Sequence, residues 1–158
     1  LYHFYDIPKY QLDKKRFGIY SHTVCSSKSI LLHGIDDEIK IPVSRHTENR
    51  VADFLERPQL EVLIESEEAG MCLVHDSSLR HFHMFNHIEY DSDTLGKEYK
   101  RDLEAGKSPN LPKNYYPNNN INELPVNKWR GNGHLLFTNW VNYLYQNTPF
   151  KVADIGNN

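Results

Sequence analysis

Cysteine is scarce: the 158 residues contain two, Cys25 and Cys72. They form neither a C-x-x-C pair nor any metal-ligand spacing, so a disulfide scaffold and a zinc ribbon are excluded. Both fall in strand-like stretches and read as small buried thiols, which makes the reducing cytoplasm the expected compartment. Long apolar runs are also missing. None approaches the roughly 18 residues of a spanning helix, so no membrane association is expected. Neither charge sign dominates: 18 Lys+Arg face 21 Asp+Glu, a formal charge of −3. That argues against a nucleic-acid binder working through a basic face. Glycine and proline, eight of each, are too few and too irregular for collagen-like or low-complexity sequence. No repeat is visible. Residue 1 is Leu, no signal peptide opens the chain, and Leu1–Tyr5 reads like the last turn of a helix, so a piece of a longer protein is expected. What is present, 39% hydrophobic, 12% aromatic and 25% charged residues, suits a single globular domain with a real core.

The patterning alternates between the two regular periods. Arg16–Val24, Glu38–Val43, Leu60–Ile64, Gly70–His75 and Leu79–Phe85 read as strands. Asp76-Ser77-Ser78 has the chemistry of a hairpin turn between the last two. Ser29–His33 is a short apolar turn, and Val51–Leu55 a short helix stopped by Pro58. Ser92-Asp93-Thr94 offers N-cap candidates for a helix over Leu95–Ala105 that Gly106 ends. Four prolines and Asn118-Asn119-Asn120 make Lys107–Lys128 a long irregular loop. Leu135–Gln146 is the last helix, and Lys151–Asn158 is expected to fray. Strands interspersed with helices predict an α/β or α+β domain with a mixed sheet.

The strongest chemical signal is His87 with Glu89, two residues apart where an apolar strand ends. In extended chain, side chains i and i+2 share a face, and a carboxylate beside an imidazole fixes its tautomer and orients it as a base. The competing reading is a surface histidine with a chance acidic neighbour. His81, His83 and His87 invite a metal, but no fourth ligand is suitably spaced, so no metal is expected. Lys9, Lys14, Lys15 and Arg16 form either an anion site or a solvated basic edge. Trp129, Trp140, Tyr143 and Tyr145 read as packing residues.

Taken in order, nine segments resemble one family: Ile7-Pro8-Lys9 with Lys15 and Phe17-Gly18; Gly34-Ile35-Asp36-Asp37; Ser44-Arg45-His46-Thr47-Glu48; Glu65–Gly70; His87-Ile88-Glu89-Tyr90-Asp91; Arg101-Asp102 with Ala105-Gly106; Asn114-Tyr115-Tyr116-Pro117; Trp129-Arg130; and Leu135–Tyr143. The chain resembles the C-terminal half of the homoserine O-acyltransferases of the homoserine transsuccinylase family. The resemblance implies an α/β fold, with a class I glutamine-amidotransferase-like (flavodoxin-like) sheet and flanking helices, of which residues 1–150 are the C-terminal part of a single domain. It implies transfer of an acetyl or succinyl group from acyl-CoA to the hydroxyl of L-homoserine, in methionine biosynthesis, through a Cys acyl-enzyme. That Cys lies upstream, and neither Cys25 nor Cys72 matches it, so this chain alone is expected to be inactive.

By the same resemblance His87 is the general base and Glu89 its orienter, while Lys15, Ser44 and Arg101 bind substrate. The chemistry suits them, since a guanidinium clamps a carboxylate in bidentate fashion. Arg101 and Lys15 are expected to point into the pocket that His87 lines. No cofactor is implied beyond acyl-CoA as co-substrate, and a homodimer is the candidate assembly. Acetyl is favoured as donor, and serine stands as a possible acceptor one methylene shorter. Asn86 and Ile88 stand where the family usually has Gly and Pro, so a different backbone path and a looser turn are expected there. A glutamine-amidotransferase-like hydrolase and a non-catalytic remnant are the alternative readings.

Overall fold

The computed structural model describes residues 1–26 and 28–151, so the expected fraying beyond Lys151 lies outside the described residues. Five strands form one sheet: β1 (Tyr10–Val24), β2 (Glu38–Glu48), β3 (Leu60–Ser66), β4 (Gly70–Asp76) and β5 (His81–Met84). Their order is β2-β1-β3-β4-β5. Among the described residues the helices are α1 (Tyr2–Tyr5), α2 (Val51–Leu55), α3 (Thr94–Glu104) and α4 (Arg130–Asn147). Two single 3₁₀ turns, Ile30–Leu32 and Pro117–Asn119, punctuate the loops.

Every pairing in the sheet is antiparallel, where a mixed sheet was expected. The connections explain it. β3, β4 and β5 follow one another through short turns, and a parallel neighbour would need a crossover of a dozen residues or so. Direction therefore alternates across the sheet: β2, β3 and β5 run one way, β1 and β4 the other, and the consecutive strands β2 and β3, joined through α2, run the same way with β1 between them.

Strand alternation matches burial. Ile39, Ile41 and Val43 of β2 are buried, and Tyr20 of β1 faces Ile41 in register. The main core joins these strands to Leu63, Ile64, Cys72 and Leu73, and to Ile88, Leu95, Tyr115, Tyr116 and Trp129 beyond the sheet. Cys72 is buried as expected, whereas Cys25 sits just past β1 and is exposed.

Two departures from the simple pattern position the site. Between Gln11↔Thr47 and Arg16↔Arg45, β1 advances five residues while β2 advances two. This bulge re-aims the side chains of the β1 segment that carries Lys15. Further along, Lys113 of the long loop pairs with β1, donating to Phe17 O (2.9 Å) and accepting from Ile19 N–H (2.8 Å). Gly18 makes that approach possible: its φ is +146°, and a Cβ there would lie 2.3 Å from Lys113 O.

Helix α4 begins at Arg130, five residues before the expected Leu135. Asn127 Oδ1 accepts from the N–H groups of Trp129 and Arg130, which nucleates the first turn. Gly131 and Gly133 conceal this turn in the sequence. Gly133 is required by contact: a Cβ would sit 2.9 Å from Ile88 O.

Candidate active site

The chain leaves β5 and reaches His87 along a tightly held path. Phe85 N–H donates to Cys72 O of β4 (2.8 Å), and His87 N–H donates to Pro42 O of β2 (2.9 Å). Since β2 and β5 are the two edge strands, this segment ties opposite ends of a strongly curled sheet together. Asn86 is not among the residues of positive φ, so its backbone does not require the glycine usual at this position. Ile88 is buried against Gly133 of α4, so packing, rather than proline's ring, restrains the turn.

His87 Nδ1 lies 2.8 Å from Glu89 Oε1. Burial pushes the Glu89 carboxyl up, but the hydrogen bond from His87, a backbone N–H and the charge of His87 outweigh it and leave its pKa below the usual carboxylate value. An ionised carboxylate only accepts, so the proton sits on Nδ1 and Nε2 is left as the basic atom. The two side chains are 34% and 48% exposed, so Nε2 can be approached from outside these residues. The His87 ring stacks on Tyr90, with centroids 4.2 Å apart and 14° between planes. An apolar groove of about 370 Å³ adjoins the pair, with Phe82, Met84, Leu136, Phe137 and Trp140 among its lining.

The expected binding residues gather on a second centre, Glu98 of α3. Ser44 Oγ donates to Glu98 Oε2 (2.6 Å), Lys15 Nζ to the same oxygen (3.1 Å), and Tyr90 Oη to Oε1 (2.9 Å). Burial pushes the Glu98 carboxyl up, but these three donors more than offset it, and its pKa falls below the ordinary value. Tyr90 moves the other way: burial first, then Glu98, push its phenol up. Its backbone carbonyl accepts from Trp129 Nε1 (2.7 Å), which holds the backbone at Tyr90.

Arg101 joins this centre through Asp102, and its charge also acts on the Tyr90 phenol. Arg101 Nη2 and Lys107 Nζ each lie 3.2 Å from Asp102 Oδ1, and Lys15 Nζ lies 3.7 Å from Oδ2. Hydrogen bonding from Lys107 is the first cause of the lowered Asp102 pKa. The Arg101 side chain is 65% exposed.

Lys15, Ser44 and Arg101 thus belong to one polar chain with Glu98 and Asp102, but none of them lines the groove beside His87, where Lys15 and Arg101 were expected to point. Tyr90 is the link: its ring lies on His87 and its hydroxyl on Glu98. Glu98 and Tyr90 were missed in the sequence because a lone Glu on an amphipathic helix looks solvated. The signal that could have found Glu98 is its place three residues before Arg101, on the same helical face. Of the histidines considered for a metal, His81 and His83 pack edge to face, 5.9 Å between centroids. Among the described residues no three His, Cys, Asp or Glu side chains converge as metal ligands, and no helix is long and apolar enough to cross a membrane.

Comparison with known proteins gives this arrangement a context. The homoserine O-acetyltransferase of Rhizobium johnstonii is 49% identical over 156 residues, which are 99% of this chain and 51% of that protein. Its counterpart from Hyphomonas neptunium is 49% identical over 155 residues, 98% of this chain and 51% of the relative. The chain spans about half the length of the curated relatives it matches. Among solved structures, SMU.1228c shares the fold with a TM-score of 0.61 at 11% identity, over 89% of this chain and 57% of its own. A glutamine amidotransferase from Thermotoga maritima aligns over 63% of this chain and 41% of its own, at 14% identity and a TM-score of 0.49. The family model described as homoserine O-succinyltransferase matches residues 1–150, and the chain, an α/β sheet with flanking helices, belongs to that family.

Proposed function

We propose that this chain supplies the base and the acceptor-binding groups of an enzyme that moves an acyl group from acyl-CoA to the hydroxyl of L-homoserine, a cytoplasmic step of methionine biosynthesis. The observation that carries the reading is the run of contacts from His87, stacked on Tyr90, through the Tyr90 hydroxyl to Glu98, Ser44 and Lys15. It sets a general base beside a cluster of fixed charges of both signs, which is what a zwitterionic amino-acid acceptor needs. Glu98 offers a carboxylate for the α-ammonium, while Lys15 and Arg101 offer cations for the α-carboxylate.

The chemistry divides into two half-reactions. A Cys thiolate contributed from outside these residues attacks the thioester carbonyl of acyl-CoA, and CoA leaves as its thiol after taking a proton. The homoserine hydroxyl then gives its proton to His87 Nε2 while its oxygen attacks the acyl-cysteine, which releases O-acylhomoserine and regenerates the thiolate. Glu89 holds the imidazolium that forms. The relatives' own names favour acetyl as the group transferred. No resident cofactor is required. The test of the reading is turnover of the full-length protein with L-homoserine and either acetyl-CoA or succinyl-CoA, and failure with both would reject it.

Neither thiol within the chain suits the nucleophile's part. Cys72 is buried and its thiol is pushed up to about 12, while partial desolvation and the neighbouring Glu65 charge push Cys25 up. A nucleophile must come within roughly 3 Å of the base. The purified 158-residue chain, given homoserine and either acyl-CoA, is therefore expected to release no CoA and form no O-acylhomoserine. Turnover that disappears on Cys25→Ser or Cys72→Ser would show the nucleophile to be one of these two.

A further inference from the structure

His22 is a fully buried histidine near the C-terminal end of β1 to which the acyl-transfer chemistry gives no part. Its Nδ1 lies 3.0 Å from Tyr20 O, and its Nε2 lies 2.8 Å from Nδ2 of Asn86, itself buried. Desolvation first, then the charges of Arg45 and Lys40, lower its pKa to about 4 against the opposing pull of the Tyr20 carbonyl, so the ring is neutral near pH 7. A carbonyl only accepts, so Nδ1 carries the proton and donates to Tyr20 O. Nε2 is then a bare lone pair, and it accepts from the Asn86 amide.

Asn86 stands immediately before His87, and its neighbours are already tied. Phe85 is bonded through its backbone to β4, and His87 to β2. The Asn86 side chain adds a bond to β1, so consecutive residues are fastened to three different strands. The other end of that side chain is unpartnered, since Asn86 Oδ1 is buried without a hydrogen-bond donor. Burying an unpaired amide oxygen is costly, so this asparagine is not explained by stability. The side chain lies against the buried Cys72 thiol, and its amide bonds His22, next to the residue that must be held still.

We infer that His22 and Asn86 are a buried positioning pair that sets the backbone of His87 and, through it, the alignment of His87 with Glu89. The inference deepens the reading of His87 as a base, but its test is independent of turnover. Nitrogen-15 NMR of the chain reads the His87 ring tautomer, and amide exchange reads the His87 N–H bond to Pro42. The wild-type ring is expected to carry its neutral-form proton on Nδ1, and the His87 amide to be protected.

In His22→Leu, which removes the acceptor, the ring is expected to drift to a mixture of tautomers and the amide to exchange about tenfold faster or more. His22→Gln, whose side-chain oxygen can accept from Asn86, should restore most of both signals, a rescue that mere core packing would not give. Asn86→Gly removes the bond from the other side without placing a new polar group in the core, and should match His22→Leu in both readouts. It also supplies the answer if His22→Leu does not fold. Unchanged tautomer and exchange at His87 in a folded Asn86→Gly chain would overturn the inference, as would a His22→Gln chain no better than His22→Leu. If the enzyme reading alone is wrong, homoserine acylation by the full-length protein fails while these NMR differences remain.

Discussion

In the full-length enzyme, His87→Ala is expected to lower acyl transfer by about a thousandfold with little change in melting temperature. The expectation of an intact fold comes from where the residue's bonds lie. The backbone N–H that anchors it to Pro42 survives the substitution, and its side chain is one-third exposed, so truncation opens no sealed cavity. The loss of rate comes from Nε2, the atom that takes the hydroxyl proton in the proposed reaction, since Glu89 lies on the Nδ1 side of the ring. Glu89→Gln should cost less, about ten- to a hundredfold, because an amide oxygen can still accept from Nδ1 but no longer carries charge to balance the imidazolium. The pH sign follows from the lowered Glu89 pKa. A carboxylate whose folded pKa is depressed contributes fully above its ordinary value, and that contribution disappears as pH falls through the folded pKa. The Glu89→Gln variant should therefore lose the part of the acid-side fall in melting temperature that wild type shows in this range. Steady-state rates across pH, with melting curves of each variant, check all of these, and a His87→Ala rate above about a tenth of wild type would remove His87 from the chemistry.

The second large effect is expected at Glu98. Glu98→Ala leaves Ser44, Tyr90 and Lys15 without their common acceptor and Lys15 with the Asp102 carboxylate and the Phe17 ring as its neighbours. The KM for homoserine is expected to rise about tenfold or more, and stability to fall by roughly 1–3 kcal/mol through the unpaired donors. Glu98→Gln, which keeps an acceptor oxygen, should recover most of the stability and little of the KM, because the ammonium needs charge. The rate at which CoA is released from acyl-CoA without homoserine should stay within a few-fold of wild type in both variants, since that half-reaction does not use the acceptor. If KM for homoserine is unmoved while CoA release slows, Glu98 belongs to the donor side instead.

Much of this was legible in the sequence where local period and burial coincide. The alternation in Glu38–Val43 and Gly70–His75 became β2 and β4, and the N-cap candidates before Leu95 with Gly106 behind it became α3. His87 and Glu89 were visible because two-residue spacing brings them together whatever the rest of the fold does. Contacts between distant residues were not visible. Ser44 meets Glu98 across 54 positions, Lys15 meets it across 83, and His22 meets Asn86 across 64, and no local pattern encodes such pairs. The antiparallel order of the sheet was hidden for the same reason. The start of α4 was hidden by helix-weakening glycines, one of which is there because Ile88 presses on the helix.

The most direct test is a crystal structure of the full-length enzyme with L-homoserine bound, solved with the nucleophile blocked. Homoserine is expected with its hydroxyl within about 3 Å of His87 Nε2, its ammonium on Glu98, and its carboxylate on Arg101 or Lys15. Homoserine bound away from Glu98, or with its hydroxyl directed away from His87, would contradict the assignment of base and acceptor site together.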